Sequence, residues 1–322
     1  MEGRGRPTTL VLLGRTGNGK SATGNSILGR RAFRSSNSSS AVTATCQLEQ
    51  VQLKDGRKLN VIDTPGLFDP TVNTDFLSKE IVKCIDLAKD GLHGVLLVLS
   101  VKNRFTTEET ATLQTLQTLF GEKILNYIVV AFTGGDELEE TEQTLEEYLR
   151  QSSPALQNLV RQCNDRKVLF DNRTKSPTVK EKQRSELLKQ VDIVIAQNGG
   201  RPFTNELFRE AQERSRKHKD IDSGGYSNEQ MQILMEKMEK AHAEQLKKST
   251  EMVEEKLRIA INTFEDRLAA EHSARLQVEK DCRENISTFE DKLRKVERSL
   301  SRVPPTQFRA PLRFILDRCP IL

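Results

Sequence analysis

The run Gly14-Arg-Thr-Gly-Asn-Gly-Lys-Ser21 constrains the fold more than any other stretch of this chain. It has the spacing G-x-x-x-x-G-K-[ST], and its flanks supply the context that spacing needs. The apolar strand Leu10-Val-Leu-Leu13 leads into it, and Ser21 to Leu28 opens a helix behind it. Main-chain N–H groups of such a loop form a concave nest for a β-phosphate, and the helix N-terminus adds positive potential. In that arrangement Lys20 reaches the β/γ oxygens and the Ser21 hydroxyl ligates Mg²⁺. Gly14, Arg15, Thr16, Gly17, Asn18, Gly19, Lys20, Ser21 and Ala22 are therefore the expected phosphate-site residues, and the expected ligand is a nucleoside triphosphate.

Three further strand ends carry candidate chemistry. The strand Leu59-Asn-Val-Ile-Asp63 runs into Thr-Pro-Gly66, which suits a magnesium-side carboxylate, Asp63, and a γ-phosphate-sensing amide at Gly66. The buried-strand run Tyr127-Ile-Val-Val-Ala-Phe132 ends in Thr133-Gly-Gly-Asp136. A carboxylate at Asp136 accepts hydrogen bonds from N1 and N2 of guanine; adenine offers no such donor pair, so a wrong base leaves the acid unpaired. The strand Lys167-Val-Leu-Phe170 leads to Asp171-Asn172, where Asn172 either meets the purine from the other side or closes the strand end as an Asx-turn.

Taken together, these motifs resemble the plant immune-associated nucleotide-binding proteins, the avirulence-induced-gene type of GTPase related to the GTPases of immunity-associated proteins. Gly14 to Ser21, Asp63-Thr-Pro-Gly-Leu-Phe-Asp69, Asn103-Arg-Phe-Thr-Thr-Glu-Glu109, Thr133-Gly-Gly-Asp136 and Val168-Leu-Phe-Asp-Asn172 occur in family order, over about residues 8 to 300. The resemblance implies a Ras-like G domain that binds GTP or GDP with Mg²⁺. It also implies a variant of the Asn-Lys-x-Asp base motif, in which the lysine that packs over the base is replaced by Gly135 and guanine affinity is lowered. A switch threonine is implied within Ala41-Val-Thr-Ala-Thr45, Thr43 before Thr45. With Ser21 and Asp63, Thr43 would complete the metal set. The stretch Ser35-Ser-Asn-Ser-Ser-Ser40 ahead of it reads as the mobile loop that a γ-phosphate orders, and Ser35 is either a nucleotide contact or a solvated serine.

Small GTPases place a glutamine just after Asp-x-x-Gly; here that position is Leu67, which cannot orient water. Intrinsic hydrolysis is then expected to be slow, on the order of the unassisted Ras rate or below. The resemblance implies a second protomer on the nucleotide face as the remedy. Arg104 is one candidate for the missing polar group, but Thr106-Thr-Glu-Glu109 beside it is a capping box with Phe105 as staple, so no catalytic residue is assigned.

Composition sets outer limits. A chain of 322 residues exceeds one Ras-sized unit, yet with 36% hydrophobic and 30% charged residues it reads as one packed core plus a long solvated element. A net charge of +4 without an aromatic-interleaved basic patch argues against nucleic acid as a partner. The five cysteines lack metal or redox spacing, and the first seven residues contain no apolar region of a signal peptide, so a cytoplasmic, reducing home is expected.

Strands and helices alternate from Thr8 to about Gln197, as in a mainly parallel three-layer α/β domain. The expected organisation is a tail over 1–7, the G domain over 8–200, a helical connector and hinge over 201–226, a coiled-coil-like helix over 227–302 and a Pro-containing tail over 303–322. The long helix has a 4-3 apolar rhythm through Leu257, Ile261, Phe264 and Leu268, and again through Cys282, Ile286, Phe289 and Leu293. Between His242 and Ser249, and near His272, that seam turns polar. Such a helix pairs with a copy of itself or with the G domain, or else solvates itself. The last four residues, Cys319-Pro-Ile-Leu322, fit a prenylation box with Pro320 off pattern, and would give a peripheral endomembrane attachment. Two functions are thus expected to compete: a slow GTP switch that dimerises with nucleotide, in immune or stress responses by resemblance, and a non-hydrolysing GTP-binding scaffold at an endomembrane surface.

Overall fold

The computed structural model describes residues 7–35, 43–67, 73–222 and 228–300. Residues 36–42 of the serine-rich stretch expected as a switch, 68–72, 223–227 of the expected hinge and the tail with Cys319 lie outside the described residues. The chain divides into two compact units, Met1–Asn262 and Thr263–Leu322.

The first unit is built on a six-stranded sheet. Its strands are β1 (Thr8–Leu13), β2 (Gln47–Gln52), β3 (Lys58–Asp63), β4 (Gly94–Ser100), β5 (Ile128–Thr133) and β6 (Lys167–Phe170), in the spatial order β2-β3-β1-β4-β5-β6. All neighbours run parallel except β2, which pairs antiparallel with β3. The expected mainly parallel α/β sheet is present, and continuous burial along β1, β4 and β5 shows that both faces of its centre are covered. The β2–β3 hairpin is the departure from strict alternation. Its sequence Gln-Leu-Glu-Gln-Val-Gln places Leu48 and Val51 against the core from an edge, and its turn closes at Gly56 with a Gly56 N–H···O=C Leu53 bond of 3.0 Å.

Between the strands lie α1 (Lys20–Leu28), α2 (Thr74–Leu87), α3 (Thr107–Phe120), α4 (Gly135–Glu140), α5 (Leu145–Gln151), α6 (Pro154–Gln162) and α7 (Pro177–Gln197). Helix starts follow the sequence closely: Thr106 with Glu109 and Thr144 with Glu147 form capping boxes, while Ser153 and Ser176 cap helices that open with proline. After α7 the chain returns to the sheet, and Phe203 bridges Leu92 through N–H···O bonds of 2.7 and 3.1 Å. The Phe203 ring meets Tyr127, Phe208 and Phe120 edge-on, centroids 5.4, 6.0 and 6.2 Å away, which anchors α8 (Glu206–Asp222) to the domain.

The last helix, α9 (Asn228–Leu300), enters the first unit's core in its middle part, where Val253, Leu257 and Ala260 are buried. The polar interruption in its seam is a docking point. Ser249 is buried and bonds Arg214 Nη1 (2.9 Å) and Glu210 (2.8 Å) of α8, while Arg214 Nη2 reaches Asp86 of α2 at 2.5 Å. Ser78 of α2 donates to Glu254, and Lys256 donates to the Leu119 carbonyl of α3. In the second unit, residues 263–300 are helical, and Leu268, Leu276, Val278, Ile286, Phe289 and Leu293 are exposed. No helix among the described residues is long and apolar enough to cross a membrane.

Candidate nucleotide site

The phosphate loop spans the step from β1 to α1, at the carboxyl end of the central strands where open α/β sheets bind ligands. Gly14 sits at φ +143°, and a Cβ on it would lie 2.4 Å from the Val98 carbonyl oxygen of β4, so the loop begins against bare backbone. The buried ammonium of Lys20 curls back over the loop and donates to the carbonyls of Gly14 (2.9 Å) and Arg15 (3.0 Å). Thr16, Gly17, Gly19 and Ala22 complete the loop and the first turn, with Gly17 exposed at its tip.

At the first turn of α1 three oxygen-bearing side chains converge. Ser21 Oγ donates to Asp63 Oδ2 at 2.6 Å and shares a 3.0 Å hydrogen bond with Thr43 Oγ1, which itself reaches Asp63 Oδ2 at 3.3 Å. Asp63 is 1% exposed and its second oxygen, Oδ1, has no hydrogen-bond partner among the described residues. Burial pushes the Asp63 carboxyl upward, against the opposing pull of the Ser21 hydrogen bond and the Lys20 charge. Two hydroxyls and a carboxylate with an orphaned oxygen are the donor set of a small hard cation, so the residues fit Mg²⁺. Thr45, the second candidate, is turned away: its hydroxyl donates to both oxygens of Glu80 on α2, at 2.9 and 3.1 Å. Thr64, whose role no sequence signal marks, pins the turn after β3 by donating to the Leu12 carbonyl at 2.6 Å, with Gly66 buried just beyond. Ser35 is exposed at the edge of the described loop.

Asp136 stands in the first turn of α4, at the end of β5. Its Oδ2 accepts from Lys102 Nζ (3.3 Å) and Arg173 Nη1 (3.1 Å). Lys102 also pairs with Glu137, and these carboxylates raise its ammonium above the usual lysine range. Thr133 ties the end of β5 to the glycine-rich loop, its hydroxyl donating to the Asn18 carbonyl at 2.8 Å. Counted back from Asp136, the lysine place of the four-residue base motif is Gly134 rather than Gly135. Gly134 is the N-cap of α4 at φ +92°, and a Cβ there would meet Val101 at 2.8 Å.

Asn172 is held by α1: it accepts from Ser26 Oγ (2.8 Å) and donates to Thr23 Oγ1 (3.0 Å). The Asx-turn at that strand end belongs to its neighbour, Asp171, whose carboxylate accepts from the N–H groups of Arg173 and Thr174. The segment 103–109 contributes more than a helix cap. Glu109 accepts from the Thr106 N–H and from Asn18 Nδ2, Asn103 donates to Asn18 Oδ1, and Arg15 donates to Thr106 Oγ1. Arg104 is exposed in the loop that makes these contacts. The capping box was legible in the sequence; its second duty, bracing the phosphate loop, had no local signal.

Comparison with known proteins gives a family to this arrangement. Immune-associated nucleotide-binding protein 9 of Arabidopsis thaliana is 47% identical over 300 residues, which cover 91% of this chain and 87% of that one. Immune-associated nucleotide-binding protein 8 of the same plant is 48% identical over 247 residues, 75% of this chain and 70% of that one. A crystal structure of Toc33 from Arabidopsis thaliana in complex with GDP and Mg²⁺ is similar at 18% identity, with a TM-score of 0.46, over 62% of this chain and 88% of that one. The profile of the AIG1 family matches residues 8–222, and the chain belongs to that family, alongside the immune-associated nucleotide-binding proteins it resembles.

Proposed function

We propose that this chain is a guanine-nucleotide switch that binds GTP and GDP with Mg²⁺ and hydrolyses GTP slowly. The observation that carries the reading is the meeting of the Ser21 and Thr43 hydroxyls on Asp63 Oδ2 at the first turn of α1, beside a buried Oδ1 with no hydrogen-bond partner among the described residues. In this reading the loop amides of residues 14–21 cradle the phosphates, Lys20 leaves its carbonyl partners for them, and the hydroxyls of Ser21 and Thr43 with Asp63 hold the metal. Bound GTP supplies the γ-phosphate whose loss is the switching event. Thr43 belongs to a segment that the nucleotide orders, and Gly66 senses the same phosphate from the other side. Asp136 selects guanine. Asn172 supports the base side through α1, since its amide is bonded there on both ends.

Slow turnover follows from Leu67, which is 3% exposed and fills the place after Gly66 with an apolar side chain. A partner protomer on the nucleotide face would supply what Leu67 lacks, with Arg104 exposed nearby in sequence to the bracing segment. The same leucine favours a second reading, a GTP-binding scaffold that scarcely hydrolyses; membrane attachment through Cys319 belongs to that reading. An immune or stress role rests on the likeness to proteins named for one. Titration with GDP, GTP and ATP, with and without Mg²⁺, tests the core of the reading: guanine preference that vanishes in Asp136→Ala is expected, and equal affinity for ATP would overturn it. Single-turnover hydrolysis that accelerates with protein concentration is the signature of the dimeric switch; a flat, near-zero rate is that of the scaffold.

A further inference from the structure

The base motif of this chain lacks its lysine, and the sequence alone leads to a weakened base site. The structure places another lysine in the gap. Val101 extends the β4–β5 pairing by donating to the Thr133 carbonyl at 3.0 Å, and the next backbone N–H, that of Lys102, is fixed by Ser100 Oγ at 3.3 Å. From that anchored start the Lys102 side chain runs along Gly134: a Cβ on this glycine would lie 3.4 Å from Lys102 Cγ and 3.6 Å from Lys102 Cε. Its ammonium ends on Asp136 Oδ2 at 3.3 Å and on Glu137. The glycine is therefore the space that the lysine stem from the neighbouring strand fills. Arg173 also touches Asp136, but its side chain is 65% exposed against 33% for Lys102 and rests on a single oxygen.

Resting on the reading of Asp136 as the guanine-selecting acid, we propose that Lys102, from the loop after β4, replaces the missing motif lysine as the positioning residue of the base site. Its stem covers the groove beside Gly134, and its ammonium keeps the Asp136 carboxylate aimed at the N1 and N2 donors of guanine. The base site is thus complete, assembled from two strands in place of one. Losing the lysine removes a positioning charge, which affects the contact to the 2-amino group most. Hypoxanthine lacks that group, so the ratio of GDP to IDP affinity reports the role directly.

The test is titration of GDP, IDP and inorganic tripolyphosphate, all with Mg²⁺, into the full chain and into Lys102→Ala, Lys102→Met and Arg173→Ala. Lys102→Ala is expected to weaken GDP about tenfold, the scale of one charge-assisted contact, and IDP by less. Lys102→Met, which keeps the stem, is expected to lower the GDP to IDP ratio while folding as the parent does. Arg173→Ala should change GDP binding by no more than about twofold, as an exposed pair does. GDP binding unchanged in both Lys102 variants overturns the proposal, as does an equal loss on tripolyphosphate, which would mean a disturbed phosphate loop. If the unaltered chain shows no preference for GDP over ADP, the underlying reading of Asp136 fails, a result distinct from either of these.

Discussion

Glu109→Gln is a change of one atom type that the geometry makes costly. Glu109 is 4% exposed; Oε2 accepts the Thr106 N–H at 3.0 Å and Oε1 accepts Asn18 Nδ2 at 3.3 Å. A glutamine has one acceptor and one donor end. With its oxygen toward Thr106, its amide faces the amide of Asn18; turned over, it faces the Thr106 N–H. Asn18 cannot flip in response, because its Nδ2 also donates to the Val98 carbonyl at 3.1 Å and its Oδ1 accepts from Asn103. One hydrogen bond is lost and two buried donors confront each other, a cost of about 1–3 kcal/mol. For a unit of this size each kcal/mol lowers Tm by about 2–4 °C. The assay is urea denaturation without nucleotide, so that ligand linkage does not mask the loss. GDP affinity measured beside it should fall as well, since Asn18 lies within the phosphate loop. A midpoint and slope equal to those of the parent would refute the bridging role of the carboxylate.

Gly14→Ala should weaken GDP binding at least about tenfold in a fluorescence titration, because its Cβ would sit 2.4 Å from the Val98 carbonyl oxygen, a backbone atom that cannot yield cheaply. Parental affinity would contradict the loop geometry. Leu257→Ala should destabilise the first unit by about 2–5 kcal/mol in urea, as large-to-small changes in cores do. Leu293→Ala, on the same apolar rhythm but 60% exposed, should stay within about 0.5 kcal/mol; equal losses would mean that α9 does not dock as described. His93 accepts the Thr9 N–H through Nδ1 at 3.1 Å, and burial holds its pKa below the ordinary 6.5. The folded state thus prefers the neutral ring. Its contribution is whole above about pH 6.5 and is lost as pH falls from there through the lowered folded value. Stability measured from pH 7.5 to 5 should decline less steeply in His93→Asn, and an unchanged slope would show that another group is responsible.

The sequence by itself determined the parts whose chemistry is local. The strand, glycine-rich turn and helix around Gly14 to Ser21 are written consecutively, and Asp63 and Asp136 announce themselves as acids at strand ends. The capping boxes at Thr106 and Thr144 are likewise three-residue affairs. What tertiary structure decided lies between elements far apart in the chain. The sequence ranks Thr43 before Thr45 only through a resemblance, and the folded path is what sends one to Ser21 and the other to Glu80. Asn172 turns to α1, Glu109 reaches Asn18, and Lys102 lies along Gly134, each by a contact that no short motif encodes. The polar break before Leu257 reads as an interruption of the seam because periodicity counts apolar residues alone. In the fold Ser249 is buried there against Arg214, since a polar group can be covered wherever a partner from another helix satisfies it. Spacing along a chain fixes which groups can exist in one turn or strand end; which of them meet depends on packing, and packing is settled only when the whole core closes.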